Sequence, residues 1–347
     1  MSALTTDQAL QQLLDEGRAR AVATSREHVL LWDALTSATE GGKRFRPALV
    51  TAAHEALGGT HHGAAVEVGA AIEMLHTAFV IHDDVIDGDE LRRGRLNVIG
   101  TFRAQALSAG AAPDEAADFG RTAGILAGDL ALAAAIRAVA TCGAPTGVVH
   151  RLLDLFDAAL HTTAAGELTD VRLSLGVEKP SMSKSLSMVE QKTGAYSFSL
   201  PLQAGALLAG ANQSMVTRLG EVGRVLGVAF QLADDLVGVF GDPARSGKSV
   251  TSDLRTGKQT PLLTHARTTP EWERIHTYVG RDLTDAELSE AKRLLTVSGS
   301  RQYVEALAES HLATALAAVG ELGLSADVLG SVTVRPSILP IREEVAA

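Results

Sequence analysis

An acidic cluster at residues 82–87 is the first feature of the sequence that could do chemistry. The segment is His-Asp-Asp-Val-Ile-Asp, so Asp83 and Asp87 are four residues apart. On a helix this spacing places both carboxylates on one face, where like charges repel. Magnesium would relieve that repulsion, because it accepts one or two carboxylates and fills its shell with water and phosphate oxygens. A solvated acidic helix end is the alternative, but the preceding helix is apolar and Arg92 and Arg93 follow.

A second acidic cluster, Asp234 and Asp235, follows Gln231 near the end of another apolar stretch. Basic residues come after this cluster as well, at Lys248 and Lys258. Two similar helix ends, each followed by cations, predict a shared magnesium site if the helices face each other across a cavity. The lysines would then meet the outer oxygens of a diphosphate as point charges.

A basic turn at residues 41–47, Gly-Gly-Lys-Arg-Phe-Arg-Pro, is the third candidate. Glycine lets a backbone approach an anion, and the start of a helix adds a favourable dipole. A helix cap with solvated basic side chains explains this turn alone equally well. His76 lies two helical turns before Asp83. A lone histidine on an apolar face is more often a core residue, but its phase with the aspartates favours a place in the site.

Long helices must carry these residues, because apolar positions recur at helical spacing and alternating β-branched runs are almost absent. Breakers such as Pro113 separate the helical segments. We predict one all-α domain over residues 1–347, with an N-terminal helix in residues 1–25 and an irregular tail at 331–347. The predicted helices are Val66–Asp87, Leu152–Ser174, Ser183–Leu208, Val216–Phe240, Asp285–Leu295 and Gln302–Leu322.

The composition excludes several classes of protein. A net charge of -10 and an aromatic content of 4% argue against a nucleic-acid binder. Cys142 is the only cysteine, which excludes an intramolecular disulfide and a cysteine metal cage. Residues 1–15 contain no apolar signal core, and the longest apolar stretch, 198–211, is too short to span a bilayer. We expect a cytoplasmic protein without a transmembrane segment or a nucleic-acid partner.

Taken in order, the motifs resemble the trans-type polyprenyl (isoprenyl) diphosphate synthase family, and its geranylgeranyl diphosphate synthases in particular. The matching segments are the Gly-Gly-Lys-x-x-Arg-Pro turn at 41–47, the Asp-Asp-x-x-Asp-x4-Arg-Arg-Gly motif at 83–94, Lys-Thr-Gly at 192–194, and the second Asp-Asp with its preceding Gln at 231–235. Each match alone is weak, but the ordered set, spanning roughly residues 40–260, is specific.

The resemblance implies a prenyltransferase that adds isopentenyl diphosphate to an allylic diphosphate. It implies a helical bundle around a deep apolar cavity, a homodimer and three magnesium ions. Isopentenyl diphosphate would be held by Lys43, Arg46, His76 and Arg93. Magnesium would be bound by Asp83, Asp84, Asp87 and Asp234. The allylic diphosphate would contact Arg92, Lys192, Lys248 and Lys258, while Thr193 and Gln231 would line the reacting centre. The catalytic set would comprise Asp83, Asp84, Asp87, Arg92, Lys192, Asp234 and Lys248.

The product length should depend on the depth of the cavity. Phe79 lies one turn before Asp83, so its ring would project beneath the metal ions, and the adjacent wall residue Ala78 is small. These residues predict a C20 product, geranylgeranyl diphosphate, over the C15 farnesyl diphosphate. Simple core packing is the alternative interpretation of Phe79.

Two other functions compete with this interpretation. A class I terpene cyclase would need a different second metal motif and would have no use for the Gly-Gly-Lys turn. A non-catalytic subunit of a heteromeric synthase should have lost ligands. Only Gly238, which stands in place of the family's third aspartate in the second motif, indicates such a loss. Asp242 lies two turns beyond Asp234 and is a candidate replacement.

Overall fold

The computed structural model describes residues 4–42, 44–176, 180–241 and 252–330. Within these ranges the chain is helical apart from one short hairpin of β1 (Leu91–Arg92) and β2 (Arg95–Leu96), so the all-α prediction is confirmed. The tail at 331–347 lies outside the described residues. The first helices are α1 (Thr6–Val22), α2 (Arg26–Ala38), α3 (Phe45–Ala56), α4 (His62–Asp87), α5 (Val98–Ser108), α6 (Pro113–Ala140) and α7 (Thr146–Ser174).

A π-helix (Glu190–Ser199) divides the next helical stretch, between α8 (Met182–Val189) and α9 (Leu200–Leu208). The remaining α-helices are α10 (Gln213–Phe240), α11 (Ser252–Thr256), α12 (Pro261–Ala266), α13 (Trp272–Ile275), α14 (Asp285–Val297) and α15 (Ser300–Glu321). Two 3-10 turns complete the described chain, at His276–Tyr278 and Ala326–Leu329.

The helices form two compact units: Met1–Phe156 with Pro201–Val216, and Asp157–Leu200 with Thr217–Ala347. In the first unit α4 is the central helix, and every residue from Val68 to Leu75 is buried. A helix that is apolar on all sides is driven into the interior, because any orientation at the surface would expose apolar area to water. Its C-terminal turn, which carries the first acidic cluster, is more exposed.

Small residues let α6 approach α4 and α5 closely. A Cβ atom added to Gly124 would lie 2.5 Å from a methyl group of Val85, and one added to Gly128 would lie 2.1 Å from the His82 ring. These contacts leave no room for larger side chains on this face. The buried glycines and alanines of α6 are Ala116, Gly120, Ala123, Gly124, Ala127, Gly128, Ala131, Ala134, Ala135 and Ala138, and Val139 is the one larger buried residue of this helix.

Two of the described helices, α4 and α6, are long and apolar enough to cross a membrane by length and composition alone. The most apolar window of α4 is 72% buried within the protein, and that of α6 is 50% buried. The core helix of a globular protein meets the same criterion, so this is weak evidence for a membrane span.

The second unit packs α8, α10, α12, α14 and α15 around a shared apolar core. The π-helix lies against α10 at a point where each of the two helices carries a glycine. A Cβ atom added to Gly227 would lie 2.4 Å from the Cα atom of Gly194. This close approach of backbones holds the Lys-Thr-Gly segment against α10. The large members of the core include Met188, Leu232, Leu236, Leu262, Leu263, Ile275, Leu294 and Leu295.

The sequence predicted most long helices but not their details. The helix predicted to end at Asp87 does end there, because Gly88 takes a left-handed conformation with φ of 70°. The stretch predicted as one helix from Ser183 to Leu208 is helical, but its middle is a π-helix, a form common at functional sites. Pro113, expected to separate helical segments, lies between α5 and α6 as the first residue of α6, since proline suits the first helical turn.

We predict that Gly120→Ala lowers the free energy of unfolding by about 1–3 kcal/mol, because the new methyl group overpacks the contact between α6 and α5. A Cβ atom there would lie 2.6 Å from the backbone oxygen of Ile99, which cannot move independently of its helix. The control is Gly147→Ala, where nothing lies within 4 Å of the added atom. Denaturant unfolding should show the control unchanged or more stable by up to about 1 kcal/mol. Equal stability of the two variants would contradict the packing described for α6.

Candidate active site

One face of α4 brings together several of the predicted site residues. His76, Phe79, Asp83 and Asp87 follow each other at intervals of three or four residues on a continuous helix, so they share a face. The first three are partly exposed and Asp87 is exposed, whereas Thr77, Ala78, Ile81 and Asp84 are buried. Asp83 and Asp87 therefore lie on one face of α4, as their spacing predicts.

Asp84 lies on the buried side of α4 and is held by Arg92. The Arg92 Nε atom donates to Asp84 Oδ1 at 2.9 Å, and Nη2 donates to the same oxygen at 2.5 Å. Asp83 Oδ2 is farther from this guanidinium, at 3.6 Å. Burial raises the pKa of Asp84, although the hydrogen bonds and the charge of Arg92 act in the opposite direction. Asp84 thus fixes the arginine that follows the motif.

A tight hairpin presents Arg92 and Arg93. In its turn Arg93 and Gly94 both have positive φ, 55° and 74°, as a two-residue turn of this type requires. Glycine tolerates this backbone conformation freely, while an arginine there is uncommon. The Arg93 Nη1 group donates to the backbone carbonyl of Glu40. The hairpin therefore reaches the glycine turn at residues 41–47.

Four arginines surround His76. Burial lowers the pKa of His76 well below its ordinary value, and the positive charges of Arg46, Arg92, Arg93 and Arg44 lower it further. The imidazole is therefore neutral at physiological pH, inside a cluster of fixed cations. Such a cluster suits a polyanion, since guanidinium groups bind phosphate oxygens in pairs.

Arg44 was not predicted as a site residue, but it organises the glycine turn. It donates to Glu73 Oε1 at 2.8 Å, to Asp7 Oδ1 at 3.1 Å and to the Thr39 carbonyl at 3.0 Å. Glu73 is almost completely buried in α4. A Cβ atom on Gly42 would lie 2.9 Å from both the Arg44 and the Glu73 side chains, so glycine makes room for this ion pair. The sequence did carry a signal for this pair: Glu73 lies inside an apolar helix, and a buried glutamate needs a partner of opposite charge.

The structure brings together Arg46, His76, Arg92 and Arg93, the described members of the first unit predicted to bind diphosphates. Arg46 is buried and its guanidinium lies 4.4 Å from the centroid of the Phe45 ring. The remaining predicted cation of the turn, Lys43, lies outside the described residues.

In the second unit, Thr193 and Gln231 are in direct contact, as the predicted reacting centre requires. The Thr193 hydroxyl donates to Gln231 Oε1 at 3.0 Å, and Gln231 Nε2 donates to Asp235 Oδ1 at 2.8 Å. Asp235 is buried, whereas Asp234 is partly exposed. These two hydrogen bonds fix the orientation of the Gln231 amide, so Asp235 acts by holding Gln231 in place.

Lys192 and Lys258 both approach Asp170. Lys192 Nζ donates to Asp170 Oδ2 at 2.8 Å and to Glu167 Oε1 at 3.0 Å, and Lys258 Nζ lies 3.7 Å from Asp170 Oδ2. Sequence reasoning missed Glu167 and Asp170. The available signal was two acidic residues three apart, which lie on one side of a helix. The predicted Lys248 and the candidate Asp242 lie outside the described residues.

The carboxylates of both clusters fit magnesium by their chemistry. Asp83 is 26% exposed at its side chain, and Asp87 and Asp234 are also accessible, so each offers hard oxygen donors. Among the described residues no group of three or more His, Cys, Asp or Glu side chains is placed to hold an ion.

Comparisons with known proteins identify the family of this chain and several of its relatives. A family model described as polyprenyl synthetase matches residues 28–295. A geranylgeranyl diphosphate synthase of Sulfolobus acidocaldarius is 35% identical over 227 residues, which cover 65% of this chain and 63% of that protein, slightly less than two thirds of it. A geranylfarnesyl diphosphate synthase of Aeropyrum pernix is 33% identical over 276 residues, 78% of this chain and 81% of that protein.

The chain is also similar to a solved structure, a geranylgeranyl pyrophosphate synthase from Corynebacterium glutamicum complexed with isoprenyl diphosphate and magnesium. The TM-score is 0.88 at 27% sequence identity, and the match covers 97% of this chain and 98% of that one.

We predict that His76 makes the protein less stable in acid. Its pKa is lowered in the folded state, so the unfolded state binds more protons and stability falls as the pH drops below the unfolded pKa. Because the ordinary histidine pKa is about 6.5, the loss attributable to His76 at pH 5.5 is on the order of 1 kcal/mol.

The measurement is denaturant unfolding of His76→Gln and of the unmodified protein at pH 8 and pH 5.5. On acidification the variant should lose less stability than the unmodified protein, by on the order of 1 kcal/mol in the free energy of unfolding. The same replacement at the exposed His150 is the control and should follow the unmodified protein. If the variant at position 76 also follows it, His76 does not stand in a cationic environment.

Proposed function

The chain belongs to the polyprenyl synthetase family, and on that premise we propose that it condenses isopentenyl diphosphate with an allylic diphosphate and makes geranylgeranyl diphosphate. It is a prenyltransferase. The observation that carries the proposal is the arginine cluster around neutral His76, on the same face of α4 as Asp83 and Asp87. Fixed cations beside accessible carboxylates are what binding of a diphosphate and its magnesium ions requires.

The cluster in the first unit is proposed to bind isopentenyl diphosphate. Arg46 and Arg93 supply positive charge, Lys43 is proposed to add to it, and neutral His76 donates a hydrogen bond without adding a further charge among the arginines. Arg44 is proposed to keep the turn in place through Glu73 rather than to contact substrate. The ion pair is buried, so it is little screened by salt.

The allylic diphosphate is proposed to contact Arg92, Lys192, Lys248 and Lys258. Magnesium, with three ions proposed, would be held by Asp83, Asp87 and Asp234, and Asp84 would act mainly by orienting Arg92. When bound, the metal supplies Lewis-acid stabilisation of charge on the leaving diphosphate. Asp242 is proposed to compensate for Gly238.

The reaction requires cleavage of the allylic carbon–oxygen bond, which leaves a delocalised carbocation and free diphosphate. Arg92 and Lys192, already fixed by Asp84 and Asp170, would stabilise the negative charge that develops. The double bond of isopentenyl diphosphate then attacks the cation, and a proton is lost. We propose that the departed diphosphate accepts this proton, while Thr193 and Gln231 present fixed dipoles to the cation.

The proposed product length depends on Phe79. It is partly exposed on the same face of α4 as Asp83, one turn below it, which supports a place for its ring in the path of the growing chain. Shorter and longer products are named among the relatives, so the family alone leaves the length open. We therefore propose C20 on the basis of this ring, with the C15 product as the alternative.

We also propose a cytoplasmic homodimer of chains that each form one catalytic domain. The support for a dimer is a set of exposed large apolar side chains on α6, a helix whose most apolar window is only 50% buried. A second copy is the proposed occupant, and the docking surface would comprise Phe119, Ile125, Leu126 and Ile136.

The test is incubation of the purified protein with magnesium, isopentenyl diphosphate and, separately, C5, C10 and C15 allylic primers, with products identified by mass. We expect a C20 product from each primer that is accepted, and none when a chelator removes the metal. Light scattering on the same sample should give the mass of a dimer. A C15 endpoint would contradict the proposed length, and folded protein without elongation would favour the non-catalytic subunit.

We predict that Phe79→Ala lengthens the product beyond C20, because removal of the ring deepens the cavity below the reacting centre. The product distribution is measured by mass under the same conditions. Val80→Ala is the matched control, since it truncates the next residue of α4 but lies about 100° around the helix. An unchanged distribution for Phe79→Ala, or the same shift in both variants, would exclude Phe79 as the determinant.

A further inference from the structure

A compact group of two carboxylates and two ammonium groups lies in the second unit. Lys192 Nζ is 2.8 Å from both Glu167 Oε2 and Asp170 Oδ2, and Lys258 Nζ is 3.7 Å from the same Asp170 oxygen. The formal charges of the four groups cancel. We call these residues, Glu167, Asp170, Lys192 and Lys258, the lysine clamp.

The backbone geometry brings α7 directly against the π-helix at this place. A Cβ atom added to Gly166 would lie 2.4 Å from the backbone nitrogen of Lys192. Glu167 is the next residue of α7, and Asp170 follows it by three, so both carboxylates project from the same side of the helix. Glycine at position 166 thus lets Lys192 lie beside its two partners.

Burial of the charged groups of the lysine clamp costs free energy, so the clamp is an inefficient means of stabilising the fold. The Asp170 side chain is only 6% exposed, and its Oδ1 atom is buried without a hydrogen-bond partner among the described residues. A buried ion pair often stabilises no more than apolar residues of the same volume would, and an unsatisfied carboxylate oxygen carries a further cost. Packing of α7 on the π-helix alone therefore does not account for these charges.

What the clamp does provide is a fixed ammonium group. A lysine side chain has about 2 kcal/mol of rotamer entropy, which must be lost whenever it is held at one place. Contacts to two carboxylates from a rigid helix remove most of that freedom before any substrate arrives. A group fixed in advance needs no reorganisation as charge develops on a leaving group.

We propose that Glu167 and Asp170 are positioning residues that hold Lys192, and in the case of Asp170 also Lys258, at the place where the allylic diphosphate leaves. This inference rests on the proposed function, which assigns both lysines to that diphosphate. The carboxylates repel the anionic substrate, so their contribution is to the rate of ionisation and not to substrate affinity. Removal of either negative charge should slow the reaction without weakening binding.

The test measures kcat and the allylic KM for Asp170→Asn and Glu167→Gln, which keep the size of each side chain. We expect kcat to fall about tenfold or more in Asp170→Asn, because a misplaced group loses its effect on the reacting atoms. The allylic KM should stay the same or decrease. Calorimetric titration with inorganic diphosphate and magnesium should likewise show equal or tighter binding. Asp154→Asn, on the exposed surface of α7, is the control and should leave the rate unchanged.

A double-mutant cycle separates positioning from a structural role. In a Lys192→Gln background, Glu167→Gln should have almost no further effect on kcat, because the lysine that it positions is gone. Asp170→Asn should keep a smaller effect through Lys258. Melting temperatures of all variants show whether each is folded, and the two carboxylate variants provide independent tests.

Additive effects of Glu167→Gln and Lys192→Gln, or a higher allylic KM with unchanged kcat, would overturn the inference. These comparisons require that the unmodified protein elongates an allylic primer. If the unmodified protein does not elongate, the proposed function fails, and the positioning inference fails with it. If it elongates and the effects are additive, the proposed function stands while Glu167 and Asp170 are structural.

Discussion

Charged side chains that are removed from water along α4 must be paired, and the helix meets this requirement with two buried carboxylates. Glu73 binds Arg44, and Asp84 binds Arg92. Removal of either partner would leave an uncompensated buried charge, which is among the most costly changes a fold can undergo. The glycine turn and the hairpin are therefore tied to the same helix, and the arginines they carry are held around His76.

This pairing decides which carboxylates remain accessible. A helix places successive residues about 100° apart, so burying Asp84 turns Asp83 and Asp87 toward the less buried face. Glycine at positions 41 and 42 then becomes a packing requirement. Gly41 has a φ of 73° and an added Cβ atom there would lie 2.9 Å from the Arg93 guanidinium, so a larger residue would displace the arginine.

The second unit follows the same physical principle with different partners. The buried Asp235 accepts from Gln231, which in turn accepts from Thr193, so a buried charge is stabilised by a short chain of polar groups. Asp170 serves two lysines. In each unit a buried carboxylate fixes a group that the proposed chemistry needs, and a neighbouring carboxylate, Asp83 or Asp234, stays partly exposed.

The π-helix shows that hydrophobic periodicity predicts where a helix lies but not which type of helix forms. Apolar spacing predicted helix through residues 183–208, and the segment is helical, but the extra residue per turn around Lys192 does not follow from hydrophobic pattern. Within this segment Gly194 and Gly227 allow two backbones to touch, a tertiary contact that the hydrophobic pattern does not predict. The short hairpin was missed for a similar reason, since two-residue strands carry too little pattern to be recognised.

The sequence by itself determined the all-α class, the course of most long helices except α6, and the residues that mark the family, because helical periodicity and ordered motifs are local properties of a chain. It also placed Asp83, Asp87 and His76 on one face, since that follows from helix geometry alone. Only the tertiary structure decided that Asp84 and Asp235 are buried supports, and that Arg44, Glu73, Glu167 and Asp170 belong to the candidate site. Pairing between charges depends on which side chains folding brings within a few ångströms, and residues separated by tens of positions carry no local signal of it.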